Sequence, residues 1–177
     1  MQNPEVNMNS KINADELAVI ALGGNLAGDY PSVEAALQAA VDRLHGVGFE
    51  PVAVSRWWRS AAWPDPSDPP FLNGVVLART AWGPLEALEA LHLLEERFGR
   101  RRASPNAPRT LDLDLIAFGR RIIDEPGLIL PHPRAAERYF VMGPLAEIAP
   151  HWRHPVLNAI ASALAEAAVI GRDAVPL

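Results

Sequence analysis

Cysteine is absent from the 177 residues. That excludes a disulfide framework, a thiol nucleophile and any Cys-ligated metal, and it fits a reducing compartment, so a cytoplasmic protein is expected. Lysine is almost absent too, with Lys11 alone against fifteen arginines among the 16 basic residues, a bias of composition and not of chemistry. No run of about 18 apolar residues occurs, so no membrane span is expected. Met1 to Glu16 are polar and lack the apolar stretch of a signal peptide. They are expected to be a disordered tail, which leaves 17–177 as one domain large enough to bury a core. An overall basic surface is also missing: the net charge is −5, which argues against general nucleic-acid binding.

What is present is most informative at Arg109-Thr110-Leu111-Asp112-Leu113-Asp114-Leu115-Ile116. The leucines alternate with polar residues at a period of two, which predicts a strand with one apolar and one acidic face. Asp112 and Asp114 then point the same way, with Cα atoms roughly 6–7 Å apart. Like charges that close resist burial unless a cation lies between them. Few, hard oxygen ligands suit Mg²⁺, which takes its other ligands from water and substrate phosphates. Arg97, Arg100, Arg101, Arg102 and Arg109 fall in a stretch without Asp or Glu. Guanidinium groups bind phosphate oxygens bidentately. Carboxylates beside an arginine loop make the electrostatic layout of a Mg-nucleotide site. Taken alone, the strand is more readily half-exposed sheet and the arginines a solvated loop; side by side, they favour the functional reading.

Leu17 to Leu22 is an apolar run ended by Gly23-Gly24-Asn25, a buried strand and a tight turn. Val33 to Leu44 carries a helical period. Phe49 to Arg59 reads as one strand. Ala61 to Pro70 contains Pro64, Pro66, Pro69 and Pro70 and is a loop. Phe71 to Thr80 is a second strand, antiparallel to the one before. Pro84 starts a helix with its apolar stripe at Leu85, Leu88, Leu91, Leu94 and Phe98. The Asp strand follows. The order predicts an α+β fold with a ferredoxin-like βαββαβ core sheet. A short strand at Arg121 to Ile123 and helices over Ala135 to Ala149 and Leu157 to Ala168 come next. Those helices are expected to cover the other sheet face, giving three αβα layers.

Over Ala18 to Ala168 the chain resembles the 6-hydroxymethyl-7,8-dihydropterin pyrophosphokinase family of folate biosynthesis. The resemblance is carried by Ala21-Leu22-Gly23-Gly24-Asn25-Leu26, Phe71-Leu72-Asn73, Gly99-Arg100 and Pro108-Arg109-Thr110-Leu111-Asp112-Leu113-Asp114. Leu130-Pro131-His132-Pro133, Arg138, Phe140 and Gly143 to Pro150 complete it. It implies transfer of diphosphate from ATP to the pterin hydroxymethyl group with release of AMP. It also implies two Mg²⁺ ions on Asp112 and Asp114, and catalysis by Arg100 and Arg109. Ser60, Ala61, Trp63 and Asn73 would line the pterin pocket, with Phe71 and Phe140 stacking on the ring. Glu95, Arg100, Arg102, Arg109, His132 and Arg138 would contact the nucleotide, and Leu115 would lie near the adenine. Each has a plainer reading: Glu95 as a surface pair, His132 as a structural histidine, Phe71 and Phe140 as core. His45, His92, His151 and His154 match no site position and are expected to be structural or superficial. The expected partners are small molecules only, with no nucleic acid and no membrane, and the expected state is a monomer.

Two departures matter. Many members carry Arg-Trp-Gly-Pro-Arg before the Asp strand, where this chain has Pro105-Asn106-Ala107-Pro108-Arg109. The tryptophan that closes over the pterin is lost, and Arg101 or Arg102 is left to take over the missing arginine's phosphate contacts. An Arg found in some members near the position of Gly127 is lost, as is a Thr two residues on, now Ile129. The rival readings are a non-catalytic nucleotide or pterin sensor and an RNA-binding sheet. A sensor does not need two adjacent metal carboxylates. Trp57 and Trp58, being adjacent, face opposite ways and make a poor base-stacking platform.

Overall fold

A computed structural model describes residues 14–99 and 109–177 of the chain. The strand β1 (Ala18–Gly24) is fully flanked, by β4 (Phe71–Thr80) on one side and β5 (Asp112–Phe118) on the other, both antiparallel. Being central, it is buried on both faces, which is why it reads as an unbroken apolar run. On its outer edge β4 pairs with β2 (Phe49–Val54) and β3 (Trp58–Ser60), and β3 carries the short terminal strand β8 (Val175–Pro176).

One sheet face is covered by α1 (Val33–Arg43) and α2 (Pro84–Arg97). Ile20 and Leu22 of β1 pack there with Leu37, Leu91 and Leu94. The three helical leucines have no exposed surface, and truncating any of them to alanine costs about 2–5 kcal/mol. The opposite face carries α3 (Tyr139–Ile148) and α4 (Ala161–Ala167), with Val19, Ala21, Val75 and Leu77 packed on Met142, Leu145 and Leu164. Trp57 packs into the first cluster, whereas Trp58 lies edge-on to Tyr139 of α3, so the adjacent tryptophans do face opposite ways.

The expected strand over Phe49 to Arg59 is broken in two. The Ser55 hydroxyl accepts the Val75 N–H at 2.9 Å and donates to the Arg56 carbonyl at 2.8 Å, so a side chain replaces a ladder partner and the strand restarts at Trp58. The expected helix over Ala135 to Ala149 is interrupted at Arg138, which is extended (φ −102°, ψ 109°). The N–H of the next residue, Tyr139, goes to the Ile170 carbonyl at 2.8 Å instead of to a preceding turn. The last helix starts only at Ala161, because Asn158 adopts a left-handed φ of 57°. The short strand expected at Arg121 to Ile123 lies two residues later. It forms a hairpin, β6 (Ile123–Glu125) with β7 (Leu128–Leu130), turning at Gly127 with φ 83°.

Strict alternation in β5 ends at a bulge. Ile20 lies opposite Leu115 and Val19 opposite Ala117, which leaves Ile116 as the extra residue. The Ile116 carbonyl, kinked out of register, accepts the His132 N–H at 2.8 Å. The bulge thus draws the His132 loop against the strand that holds the aspartates.

Candidate active site

Asp112 and Asp114 lie opposite Gly23 and Ala21 of β1. Ala21 belongs to the core under α3 and α4, so both carboxylates share that sheet face. They sit where the helical layer stops, and a cavity of about 380 Å³ opens there. It is lined by both aspartates, Arg109 and Arg138, and by every residue expected at the pterin: Ser60, Ala61, Trp63, Phe71, Asn73 and Phe140. Residues from Ser60 to Phe140 are brought together because β3 ends, and β4 and β5 begin, beside the C-terminal end of β1.

The Gly23-Gly24-Asn25 turn welds the cavity floor. A Cβ on Gly24 would lie 2.4 Å from the Thr110 carbonyl oxygen, so β1 and the Arg109–Thr110 backbone can approach only across a glycine. Asn25, 3% exposed, accepts the Arg109 N–H at 2.9 Å and donates to the Pro69 carbonyl at 3.0 Å. The Arg109 carbonyl accepts the N–H groups of Asn25 and Leu26 in return. The Arg109 guanidinium then reaches Asp112 at 2.9 Å and lies 5.7 Å over the Phe71 ring. Asn73 is buried and donates to the Ser60 hydroxyl at 3.0 Å, tying β4 to β3 at the cavity wall. The Arg138 guanidinium stands 5.9 Å over the Phe140 ring.

A second cavity, about 250 Å³, lies on the other side of β5 and is lined by Leu88, Leu115, Leu128 and His132. Asp114 lines both cavities. His132 Nδ1 accepts the Arg134 N–H at 3.2 Å, which leaves the ring proton on Nε2. Burial pushes the His132 pKa down; Asp114 opposes this, while Arg138 and Arg134 reinforce it, and the net shift is downward. The imidazole is therefore a neutral N–H donor at the edge of an apolar cleft.

Glu95 lines neither cavity. It is 2% exposed and its Oε1 accepts the Leu113 N–H at 2.6 Å, so the surface-pair reading is overturned. Its observed contact is with the backbone between the two aspartates. Arg100, Arg101, Arg102 and the Pro105 to Pro108 segment lie outside the described residues. Of the unassigned histidines, His154 is buried, and its Nδ1 accepts the N–H groups of Val156 and Leu157. Among the described residues no group of three or more His, Cys, Asp and Glu could hold a metal. A two-carboxylate set fits Mg²⁺ completed by water and phosphate, and does not fit a dedicated protein cage. Two residues have a part here that the sequence did not assign: Asn25, at the turn after β1, and Arg134, which also lines the larger cavity. Its position after His132-Pro133 was the available signal.

The family model for 7,8-dihydro-6-hydroxymethylpterin-pyrophosphokinase (HPPK) matches residues 19–150. A 2-amino-4-hydroxy-6-hydroxymethyldihydropteridine pyrophosphokinase of Synechocystis is 44% identical over 139 residues, 78% of this chain and 69% of that protein. Its Pseudomonas aeruginosa counterpart is 41% identical over 136 residues, 77% and 82% of the two chains. The crystal structure of wild-type Plasmodium falciparum HPPK-DHPS superposes with a TM-score of 0.64 at 14% identity. It covers 85% of this chain, which spans 44% of that one, and at that identity the likeness bears on the fold alone. On the matched residues and these identities, the chain belongs to the 7,8-dihydro-6-hydroxymethylpterin-pyrophosphokinase family.

Proposed function

We propose that the two cavities are the acceptor and donor halves of one diphosphoryl-transfer site meeting at Asp114. The family reaction, ATP-dependent pyrophosphorylation of the hydroxymethyl dihydropterin in folate biosynthesis, is the activity of this chain. The observation that carries the assignment of halves is the shared wall: Asp114 borders both the aromatic, amide-lined cavity and the leucine-lined cleft with His132. In this reading the pterin lies between Phe71 and Phe140 with its polar edge on Asn73, whose amide offers donors and an acceptor. The adenine lies against Leu115. Arg109, Arg138 and the Nε2–H of His132 face the phosphates, with Arg100 and Arg102 assigned there from the sequence.

The pterin hydroxyl oxygen bonds to the β-phosphorus and gives up its proton to solvent, while the bond from that phosphorus to the oxygen retained by AMP breaks. No side chain forms a covalent bond. The protein's work is alignment and stabilisation of the charge that develops on the bridging and leaving oxygens. Asp112 and Asp114 would hold Mg²⁺, two ions in our reading, and the metal would supply charge neutralisation on the phosphate oxygens when bound. Arg109 is held over Phe71 and against Asp112, so a cation is already oriented beside the carboxylates. Glu95 acts indirectly, by holding the Leu113 backbone. In this reading the core is ferredoxin-like, which the strand order supports when the split second strand is counted once. The same reading makes residues 17–177 one domain of a cytoplasmic monomer, which size-exclusion chromatography and fractionation would check.

The test is product analysis. The protein is incubated with ATP, Mg²⁺ and 6-hydroxymethyl-7,8-dihydropterin, and nucleotides are resolved by chromatography. Pterin-dependent AMP with a diphosphorylated pterin is expected. ADP would mean single-phosphoryl transfer and a misassigned donor half. Saturable binding without turnover would favour a sensor.

A further inference from the structure

The family match ends at residue 150, yet three residues near the C-terminus, Ile170, Gly171 and Asp173, line the larger cavity. They belong to a segment that fastens two of its walls together. At one end, the Ile170 carbonyl accepts the Tyr139 N–H at 2.8 Å, and the Ile170 N–H donates to Glu137 at 2.9 Å. These bonds flank Arg138 and hold the residue just before Phe140. Gly171 has φ 72°, and a Cβ there would lie 2.4 Å from the Phe140 ring, so the ring occupies space that only glycine leaves. The Arg172 guanidinium is 4.3 Å over the Tyr139 ring and donates to the Ala165 carbonyl at 2.8 Å.

At the other end, the Asp173 carboxylate accepts the Ala61 N–H at 2.6 Å. Val175 and Pro176 continue as β8 against β3, and the Leu177 N–H reaches the Trp57 carbonyl at 2.9 Å. Ser60 is the last residue of β3 and pairs with Phe71. Past it the chain leaves the sheet, so the Ala61 N–H is the first one beyond the ladder, and Asp173 is its partner. A backbone donor leaving a sheet edge otherwise turns to water, and the corner is then free to move. A charged acceptor there fixes the corner more firmly than a neutral one.

We infer that the C-terminal segment 170–177 braces one side of the pterin cavity, and that Asp173 is a positioning residue for the Ser60–Trp63 wall through the Ala61 N–H. This rests on the assignment of the larger cavity to the pterin. Any residue except proline at position 61 offers this N–H, and Asp173 is the group that takes it.

The experiment uses the full chain and two separate readouts: pterin binding followed by the pterin's own fluorescence, and AMP release. Asp173→Ala is expected to weaken pterin binding and raise the pterin KM roughly tenfold, the loss of one charge-assisted bond. The KM for ATP, kcat and the far-UV circular dichroism should stay at wild-type values. Asp173→Asn keeps an acceptor oxygen and should restore most of the affinity. Ala61→Pro removes the donor from the other end, and in that background Asp173→Ala should have no further effect. The inference is overturned if Asp173→Ala leaves pterin binding unchanged, weakens ATP equally, or costs the same factor in both backgrounds. Wild-type protein that binds pterin without releasing AMP would refute the catalytic reading while leaving this one standing. Wild-type protein that binds no pterin would overturn both.

Discussion

Replacing Gly24 with alanine should damage this enzyme far more than the loss of one hydrogen atom suggests. Gly24 has no left-handed φ, so the cost is purely steric. The added Cβ would lie 2.4 Å from the Thr110 carbonyl oxygen, 3.2 Å from its carbon and 3.4 Å from the Arg109 oxygen. All three are backbone atoms, which cannot rotate away as a side-chain tip can. Relief requires β1 and the Arg109–Thr110 segment to part. The Arg109 N–H, its carbonyl and its guanidinium are all referenced to this contact, through Asn25 on one side and Asp112 on the other. On the proposed assignment of Arg109 to the phosphates, a displacement of roughly 1 Å of its guanidinium costs on the order of a hundredfold in kcat, or about 2.7 kcal/mol. The strain should also lower stability by about 1–3 kcal/mol. Gly46→Ala is the control, since nothing lies within 4 Å of its Cβ, and it should be neutral or stabilise by up to about 1 kcal/mol. The measurements are AMP release at saturating substrates and the urea midpoint. A Gly24→Ala enzyme with wild-type kcat and midpoint would refute the close-approach argument, as would equal damage from Gly46→Ala.

Asp112→Ala and Asp114→Ala should each abolish AMP release while circular dichroism stays native, and near-normal turnover in either would remove the metal assignment. Glu95→Ala leaves the buried Leu113 N–H without this acceptor and should lower urea stability by about 2–4 kcal/mol, whereas Glu95→Gln retains an acceptor oxygen and should cost about half as much. Equal losses would show that Glu95 merely fills space. Burial, helped by the nearby Arg120, holds the His154 pKa below its ordinary 6.5. The unfolded chain then takes up that proton first, so stability is complete above about pH 6.5 and is lost as pH falls below it. His154→Asn should flatten the dependence of the urea midpoint on pH between about 7.5 and 5.5. An unchanged slope would assign the acid sensitivity elsewhere.

The local patterns that proved legible are those in which one residue's neighbours in sequence are also its neighbours in space. The alternation from Leu111 to Leu115 puts Asp112 and Asp114 on one face whatever else the chain does. The period of Val33 to Leu44 and the stripe of Leu88, Leu91, Leu94 and Phe98 specify helices with one buried side, although Leu85, expected in the same stripe, is exposed in the first turn of α2. Where expectation and structure diverge, a distant backbone group has intervened. Val75 takes the Ser55 hydroxyl and splits a strand. Ile170 takes the Tyr139 N–H and interrupts a helix. Neither partner is visible from the local pattern, because a hydrogen bond between residues tens of positions apart leaves no periodicity.

The sequence by itself therefore determined the central strand, the first two helices, the paired carboxylates and the family, because steric and solvation preferences act residue by residue along the chain. Only the tertiary structure decided three further things. Asp114 stands between two cavities because β5 closes one edge of the sheet and bulges at Ile116. Glu95 is buried behind the aspartates because α2 packs its last turns against that strand. Asp173 meets Ala61 because β8 adds to the edge of β3. In each case the deciding contact is between separate elements, and its free energy exists only once the sheet order has brought them together.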